Sequence, residues 1–400
     1  MLILRLTHLS DIDAPNERVP QTLPLQGSQD VATRLRQMAV SRPPHEKLPT
    51  KIELSALMGT SKVTVENALR VLELENVIYR RRGSGIYVSP QARSRQIRIL
   101  ISAEAMGEAG SSPFWGILWS HVMRLTEQRA LEQGDDYTVH IVPPALNALV
   151  HHAGPETVQV QAVARHLRTG RVDGVIGIGV DQRVIGWLYG PHVPASVFAA
   201  YGECGVFTDS EDALRVGLTE LVMQGCRRID VWPYPRRSPV GDWPGEAGAR
   251  AIVDRLMTDT GAQLWPGSFW RGSSGATVQS LGAAPLPRQE IGYRTAIALF
   301  ARWPKASGLL PDGLYISDDM VTDGAMMAFD ELGIRVGVDM MVVTHANRQS
   351  PVLFRDRKKL TRIEFNPEEM AQGLFMCLDT ALSGQESAMI SIKPRVCRPH

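Results

Sequence analysis

The chain has 400 residues, of which 44% are hydrophobic and 21% are charged, and its net charge is +1. This length exceeds what one hydrophobic core usually supports, so we expect two or three domains. No apolar run reaches the about 18 residues of a membrane-spanning helix. The N-terminus lacks the small-residue cleavage site of a signal peptide. We therefore expect a cytoplasmic protein.

Cysteine and histidine usage indicates neither a disulfide framework nor a metal site. The cysteines do not pair as Cys-x-x-Cys, which predicts reduced thiols. His151 and His152 are adjacent and would point in different directions on a helix or a strand, so we expect no metal there. We also expect no cofactor. The four cysteines are Cys204, Cys226, Cys377 and Cys397.

Positive charge is concentrated near the N-terminus. Residues 28–98 contain thirteen lysines and arginines against six acidic residues, whereas residues 1–27 and 99–400 are both net negative. A small basic segment ahead of a large acidic one is typical of a protein whose first part binds a polyanion.

Two predicted helices begin the basic segment. Residues 28–42 have apolar positions at helical spacing, with Ser28 as a candidate N-cap and a pair of prolines after the last turn. The next helix starts at Thr50, because Thr50 and Glu53 have the spacing of a capping box. Gly59 is expected to end this helix.

A third predicted helix follows a short turn and starts at Lys62. Its apolar residues Val65, Leu69 and Leu72 fall on one side. Two short helices joined by a tight glycine turn have the geometry of a helix-turn-helix, in which the second helix enters the major groove of DNA.

The next segment predicts a β-hairpin with a basic tip. Residues 77–79 and 86–88 form two short β-like runs. A basic hairpin beside a recognition helix suits contact with phosphates, which supply much of the affinity for DNA. The residues of the tip are Arg80, Arg81, Arg82, Gly83, Ser84 and Gly85.

Residues 48–89 resemble the winged helix-turn-helix of GntR-type regulators. The resemblance is carried by Leu48-Pro49-Thr50, Ser61-Lys62-Val63-Thr64-Val65 and Gly83-Ser84-Gly85-Ile86-Tyr87-Val88, in the family's order and spacing. It implies that Lys62 enters the groove, that Thr64 makes a polar contact and that Gly83 marks the tip of the wing.

Two positions depart from the pattern of these regulators. Ile52 and Glu66 stand where the family has arginine, although Lys51 is adjacent to the first of them. A carboxylate at position 66 can accept a hydrogen bond from cytosine N4, but it repels phosphate. The candidate DNA-binding residues are Lys51, Ser61, Lys62, Thr64, Glu66, Arg80, Arg81, Arg82 and Gly83.

From residue 97 the pattern changes to an alternation of strands and helices. Such alternation predicts parallel sheets with right-handed crossovers. The segment is longer than one sheet usually needs, so we expect an α/β architecture with two lobes and a cleft. We predict strands at 97–102, 137–142, 173–180, 195–200, 227–232, 312–319, 340–347 and 361–365, and a loop at 202–209. We predict helices at 114–133, 156–169, 211–224, 246–260, 291–303 and 320–332.

Residues 97–393 resemble the effector domain of LacI/GalR-type regulators, which share their fold with periplasmic sugar-binding proteins. The resemblance is carried, in the family's order, by Ser112-Pro113-Phe114-Trp115, Arg171-Val172-Asp173-Gly174-Val175-Ile176, Gly225-Cys226-Arg227-Arg228-Ile229, Asp318-Asp319-Met320-Val321-Thr322-Asp323-Gly324-Ala325 and Glu331-Leu332-Gly333-Ile334-Arg335-Val336. It implies a bilobal periplasmic-binding-protein-like type I domain. We predict a winged helix-turn-helix at 28–90, a linker at 91–97 and the effector-binding domain at 98–393.

The candidate effector residues lie at or after the carboxyl ends of predicted strands, where clefts of open α/β sheets bind ligands. Phe114 and Trp115 can stack on the face of a sugar, and polar side chains can hydrogen bond to its hydroxyls. Core packing of the aromatic residues, and Asp318 as the N-cap of the next helix, are the structural alternatives. The candidate polar residues are Asp181, Asp318 and Asn347.

One departure in this domain concerns the effector. The family's hydroxyl-binding aspartate is Ala346 in this chain, which argues against a standard hexose or pentose.

These patterns together predict a ligand-responsive, sequence-specific DNA-binding transcription regulator with a sugar-like effector. We expect a repressor, because the relatives mostly repress, and a homodimer whose two heads bind a palindromic site. Ligand binding is expected to close the lobes and change the spacing of the heads.

Two other functions fit an α/β fold of this kind, namely an enzyme and a secreted solute-binding protein. Residues 177–179 read Gly-Ile-Gly and not Gly-x-Gly-x-x-Gly, and no Gly-x-Ser-x-Gly motif is present. We therefore expect no catalytic residues. The basic head and the missing signal peptide argue against a secreted protein.

Overall fold

The computed structural model describes residues 26–103, 112–143, 145–146, 158–232, 245–266, 286–301, 308–386 and 388–399. His151 and His152, considered above as metal ligands, lie outside these residues. Within the described ranges, no group of three or more His, Cys, Asp or Glu side chains is arranged to hold a metal ion. The helices in these ranges include none with the length and apolar character needed to cross a membrane.

The described residues form two compact units. The first contains the described parts of Met1–Ile101, Leu125–Gly177 and Gln182–Ala195, and the second contains those of Ser102–Arg124, Ile178–Asp181 and Ser196–His400. All the candidate DNA-binding residues lie in the first unit, and all the candidate effector residues lie in the second.

A winged helix-turn-helix opens the first unit. Leu35, Leu54 and Leu72 lie in its core, and each side chain is at most 1% exposed. The elements have the predicted order and type. They are α1 (Gln26–Val40), α2 (Lys51–Met58), α3 (Lys62–Leu74), β1 (Ile78–Arg81) and β2 (Gly85–Val88), and β1 and β2 pair antiparallel.

The prediction that Ser28 caps the first helix is wrong. The helix begins at Gln26, so Ser28 lies inside its first turn. The apolar spacing that identified this helix does not mark its first residue, because the first turn of a helix needs no buried side chain.

Both ends of the segment predicted as a linker are packed within the first unit. Ala92 is 1% exposed and belongs to the core of the winged helix-turn-helix. Arg95 forms two hydrogen bonds of 2.7 Å with the carboxylate of Asp135. These contacts hold the chain where it passes from the winged helix-turn-helix into the first strand of the α/β part.

The α/β part contains two six-stranded sheets. Its strands are β3 (Gln96–Ser102), β4 (Asp136–Val142), β5 (Gly174–Ile178), β6 (Ala195–Phe198), β7 (Gly205–Thr208), β8 (Arg228–Trp232), β9 (Gln263–Leu264), β10 (Gly313–Ile316), β11 (Met341–Asn347), β12 (Thr361–Phe365), β13 (Met389–Ile392) and β14 (Arg395–Cys397). Their order is β14-β12-β11-β10-β8-β9 in one sheet and β13-β7-β6-β5-β3-β4 in the other.

Most strand pairs in these sheets are parallel. Strand β10 pairs parallel with β8 and β11, β11 pairs parallel with β12, and the last strand, β14, pairs antiparallel with β12. The connecting helices are α4 (Phe114–Gln133), α5 (Val158–Leu167), α6 (Gln182–Tyr189), α7 (Ser210–Met223), α8 (Gly245–Thr260), α9 (Arg288–Phe300), α10 (Asp319–Glu331) and α11 (Pro367–Leu382). The predicted α/β fold class is confirmed.

The loop predicted at residues 202–209 is wrong, because β7 (Gly205–Thr208) pairs parallel with both β6 and β13. The strand has four residues, and its Phe207 is 41% exposed, so no clear alternation of apolar residues marks it. Gly205 permits the pairing, because a Cβ there would lie 2.0 Å from the carbonyl oxygen of Val197. Helices α6 and α11 and strands β9, β13 and β14 also had no counterpart in the prediction.

Candidate functional site

The start of α2 fixes the position of Lys51. The side chain of Thr50, the N-cap, accepts a hydrogen bond from the backbone N–H of Glu53, and the Glu53 carboxylate accepts one from the backbone of Thr50. Gly59 ends the helix with φ 65°, a conformation that a side chain disfavours. The predicted capping box and glycine stop are confirmed, and Lys51 is the first residue of the helix.

The first turn of α3 exposes Lys62. Ser61 caps the helix: its Oγ accepts a hydrogen bond from the Thr64 N–H at 3.1 Å and lies 2.8 Å from Thr64 Oγ1. The opposite face is anchored by Val65 and Leu69, both 0% exposed. The hydroxyl groups of Ser61 and Thr64 are therefore engaged in the cap, whereas Lys62 is exposed.

Glu66, one turn further along α3, joins cations from two other elements. Its Oε2 lies 3.1 Å from Lys51 Nζ, and its Oε1 lies 3.0 Å from Arg80 Nη1. Partial burial alone would raise the pKa of the Glu66 carboxyl, but the hydrogen bonds from Lys51 and Arg80 hold the pKa below its usual value. Arg80 also contacts Glu73, with its Nε 3.2 Å from Glu73 Oε2.

The wing presents its other two arginines differently. The Arg81 guanidinium lies 5.1 Å from the ring centroid of Tyr87 and 5.5 Å from that of Tyr79. Arg82 is exposed at the tip, and Gly83 turns the chain with φ 72°. The wing therefore offers one guanidinium held over aromatic rings and one that projects into solvent.

Tyr79, Tyr87 and Glu73 were not predicted as site residues. Tyr79 lies directly opposite Tyr87 in the hairpin, and their rings stack with centroids 5.6 Å apart. The sequence predicted the hairpin but not its register, and it is the register that places the two tyrosines opposite each other. Glu73 lies seven residues after Glu66 on α3, and this spacing places both carboxylates on one helix face.

In the second unit, Asp318 lies at the carboxyl end of β10 and is 5% exposed. Its Oδ1 accepts hydrogen bonds of 2.9 Å from the backbone N–H groups of Met320 and Val321, and its Oδ2 accepts one of 2.7 Å from Arg288 Nη1. Asp318 is thus the N-cap of α10, which is the structural alternative stated above. Arg288, its charged partner, was not predicted.

Two glycines bring α9 and α10 together and thereby place Arg288 beside Asp318. A Cβ at Gly292 would lie 1.9 Å from the carbonyl oxygen of Val321, and a Cβ at Gly324 would lie 1.7 Å from that of Gln289. The two helices approach so closely that neither position has room for a side chain. Arg288 is the first residue of α9, and Asp318 directly precedes α10.

Other titratable groups lie close to Asp318. Burial, together with the negative charge of Asp318, raises the pKa of Asp319 to about 7. Ser350 donates a hydrogen bond of 3.3 Å to Asp319. Burial lowers the pKa of His345, whereas the Asp318 carboxylate and a hydrogen bond with Asn347 act in the opposite direction. Asn347, the last residue of β11, therefore belongs to this polar group.

An aromatic group lies at the start of α4. The ring centroid of Phe114 is 5.1 Å from that of Trp115 and 5.8 Å from that of Phe198, and the centroids of Trp115 and Phe198 are 6.1 Å apart. Phe114 is 9% exposed, while Trp115 is partly exposed. Asp181, which directly precedes α6, is 2% exposed. Phe198 was not predicted as a site residue.

Two family models match separate parts of the chain. Residues 28–88 match the model described as bacterial regulatory proteins, gntR family, and residues 221–398 match that of a periplasmic binding protein-like domain. The chain carries a GntR-type DNA-binding domain and a periplasmic-binding-protein-like domain. Both resemblances found in the sequence are confirmed.

The curated relatives include two histidine utilization repressors. The protein from Pseudomonas aeruginosa (strain PAO1) is 31% identical over 84 residues, which cover 19% of this chain and 34% of the relative. That from Pseudomonas putida is 28% identical over 112 residues, which cover 26% and 43%. The chain therefore spans less than half the length of these relatives.

Solved structures of LacI-type regulators share the fold. A regulatory protein of the LacI family from Chloroflexus aggregans has a TM-score of 0.55 at 17% identity and covers 76% of this chain and 97% of its own. A LacI transcriptional regulator from a Rhodococcus species has a TM-score of 0.51 at 19% identity, with coverage of 76% and 97%. The regulator CelR, solved with cellobiose, has a TM-score of 0.51 at 15% identity, with coverage of 88% and 98%.

The structure sorts the candidate residues into groups. In the GntR-type domain, Lys62 and Arg82 are exposed, whereas Lys51 and Arg80 form ion pairs with Glu66. In the second unit, Asp318 and Asn347 belong to the polar group that also contains Arg288, and Phe114 and Trp115 belong to the aromatic group. Their roles toward DNA and effector are predictions.

Proposed function

We propose that this chain is a transcription regulator that binds operator DNA through its GntR-type domain. The observation that most directly supports this proposal is the exposed Lys62 in the first turn of α3, within a domain whose wing presents Arg81 and Arg82. Cationic side chains that project from a recognition helix and a wing suit a groove and its flanking phosphates.

Salt-dependent binding tests this proposal. We expect the full chain to bind labelled duplex DNA with an affinity that falls steeply with salt, and to select a specific site from a pool of genomic fragments. Lys62→Ala and Arg82→Ala should each reduce the slope of log K against log salt by about 0.9, the contribution of one phosphate contact. Lys358→Ala, an exposed lysine of the second unit, is the matched control. Equal slopes for all three variants would contradict the proposal.

We also propose that the periplasmic-binding-protein-like domain binds a hydroxyl-rich, sugar-like effector. The partly exposed Trp115 offers an aromatic face, and the polar group offers the Asn347 amide and the charged Arg288–Asp318 pair. Aromatic faces with a few fixed polar groups suit sugars. The solved structures that share this fold include complexes with cellobiose and with D-xylulofuranose.

A thermal-shift screen of sugars, sugar acids and polyols tests the effector proposal. A ligand at about 100 times its dissociation constant should stabilise the chain by about 2.7 kcal/mol. Trp115→Ala and Asn347→Ala should abolish this shift, whereas Phe354→Ala, with an aromatic ring that is 73% exposed in the same unit, should retain it. A shift that survives both site variants would place the ligand elsewhere.

Effector binding is proposed to change the affinity of a homodimer for a palindromic operator. The curated relatives are named repressors, so we propose repression. Light scattering should give twice the chain mass of 44.1 kDa. Deletion of the gene should raise expression of a reporter placed behind the selected operator. Equal operator affinity with and without saturating effector would refute the coupling.

The alternative functions are less well supported. The two matched family models describe regulatory proteins and a binding-protein-like domain, and neither describes an enzyme. We therefore propose a non-enzymatic regulator.

A further inference from the structure

Three elements of the GntR-type domain meet at one carboxylate. Lys51 begins α2, Glu66 lies on α3 and Arg80 lies on the wing strand β1. The two cations lie 3.1 Å and 3.0 Å from the two oxygens of Glu66. Glu66 is the more buried partner in each pair, with 26% of its side chain exposed against 42% for Lys51 and 34% for Arg80. Glu66 is therefore the least exposed of these three side chains.

Lys51, Glu66 and Arg80 form an ion-pair bridge, and the two cations of this bridge are neutralised by carboxylates of the same domain. Arg80 also reaches Glu73, so Lys51 and Arg80 face two carboxylates, both on α3. Lys62 and Arg82, by contrast, form no ion pair within the described residues and are exposed. A cation already paired with a carboxylate gains less from a phosphate, since the existing pair must be broken first.

We propose that Glu66 is a positioning residue that restrains the affinity of this domain for DNA of any sequence, by holding Lys51 and Arg80 in an internal ion-pair bridge. The inference rests on the proposed DNA-binding function. The exposed cations supply the first contacts with phosphate, and Lys51 and Arg80 contribute only when DNA displaces Glu66. A regulator with weaker non-specific binding spends less time on the competing sites of a genome.

The bridge also gives Glu66 a role different from base reading. Both carboxylate oxygens accept from cations of the domain itself, so a contact with cytosine N4 would compete with two charge-assisted hydrogen bonds. The two roles predict opposite effects of a neutral side chain. Removal of a restraint strengthens binding to DNA, whereas removal of a base contact weakens it.

The test uses the full chain and a fluorescent duplex of mixed sequence, titrated by anisotropy at several salt concentrations. Glu66→Gln keeps the shape of the side chain and removes its charge. For each cation that is released to phosphate, we expect the slope of log K against log salt to steepen by about 0.9 and binding at about 0.1 M salt to tighten about tenfold.

A matched control separates the bridge from the total charge of the domain. Glu46→Gln removes the same charge, from an exposed carboxylate that pairs with Arg42 outside the bridge. The proposal requires a larger change of slope for Glu66→Gln than for Glu46→Gln. Equal changes would reduce the effect to net charge and overturn the proposal, and so would weaker binding by Glu66→Gln.

Lys51→Met gives a second measurement that does not depend on replacing Glu66. Because Glu66 neutralises Lys51, the single substitution should alter the salt slope less than Lys62→Ala does. In the Glu66→Gln background, Lys51→Met should reduce the slope by about 0.9. If Lys51→Met changed the salt slope equally in the wild type and in Glu66→Gln, the proposal would be overturned. A folded wild-type chain that binds no DNA even at low salt would instead overturn the proposed function, and this inference with it.

Discussion

Asp319 gives a quantitative test of the polar group at the carboxyl end of β10. Asp319 is 3% exposed, directly follows Asp318 in the chain and accepts a hydrogen bond of 3.3 Å from Ser350. Burial and the charge of Asp318 raise its pKa from 3.8 to about 7. We predict that the free energy of unfolding of the wild type falls as the pH rises, and that Asp319→Asn abolishes this fall.

The sign and the size follow from proton linkage. The folded state holds the proton more tightly than the unfolded state, so the free energy of unfolding falls as the pH rises from the unfolded pKa to the folded one and is level above about 7. Each pH unit inside this window corresponds to about 1.4 kcal/mol. Between pH 5 and pH 8, the wild type should therefore lose about 3 kcal/mol relative to Asp319→Asn.

Urea denaturation followed by tryptophan fluorescence at pH 5, 6, 7 and 8 measures this difference. Asparagine has the shape of aspartic acid and stays neutral, so other titrating groups largely cancel in the comparison. Asp330→Asn, at an exposed carboxylate of the same helix, controls for the loss of an acidic residue from α10. A difference between wild type and Asp319→Asn that is constant from pH 5 to pH 8 would refute the reasoning.

Three further substitutions test the local geometry. Gly324→Ala should destabilise the second unit by about 1–3 kcal/mol in urea, because its Cβ would overlap the carbonyl oxygen of Gln289; unchanged stability would contradict the close approach of α9 and α10. Thr50→Ala should lower the stability of the GntR-type domain by about 1 kcal/mol through loss of the capping box, and hydrogen exchange in α2 should report it. Gly205→Ala should lower the melting temperature and weaken the protection of β7, since its Cβ would meet Val197; retained protection would count against the close pairing of β6 and β7.

The agreement between sequence and structure is best where the decisive interactions are local. The capping box of α2, the Ser61 cap of α3 and the Gly59 turn each involve residues within a few positions of one another. The hairpin register likewise follows from a short connection. The capping box, the Gly59 turn and the two short β-like runs predicted the winged helix-turn-helix in the correct order, whereas the Ser61 cap and the hairpin register were not predicted.

Strand β7 could not be predicted from the sequence, because its formation depends on pairing with other strands. Strand β7 exists because β6 and β13 pair with its two edges, and β13 lies some 180 residues further along the chain. A four-residue strand with one exposed phenylalanine has no periodicity of its own that separates it from a loop. Pairing partners distant in sequence decide such elements.

The sequence by itself determined the two domain types, the order of most elements and the candidate residues for DNA contact, because helical spacing, caps and turns are properties of neighbouring residues. The tertiary structure alone decided which of the candidate cations are exposed and which form ion pairs within the domain. It also decided that Arg288 meets Asp318 and that burial shifts the pKa of Asp319. Charge pairing and burial depend on distances between residues far apart in the chain, and a linear sequence does not contain those distances.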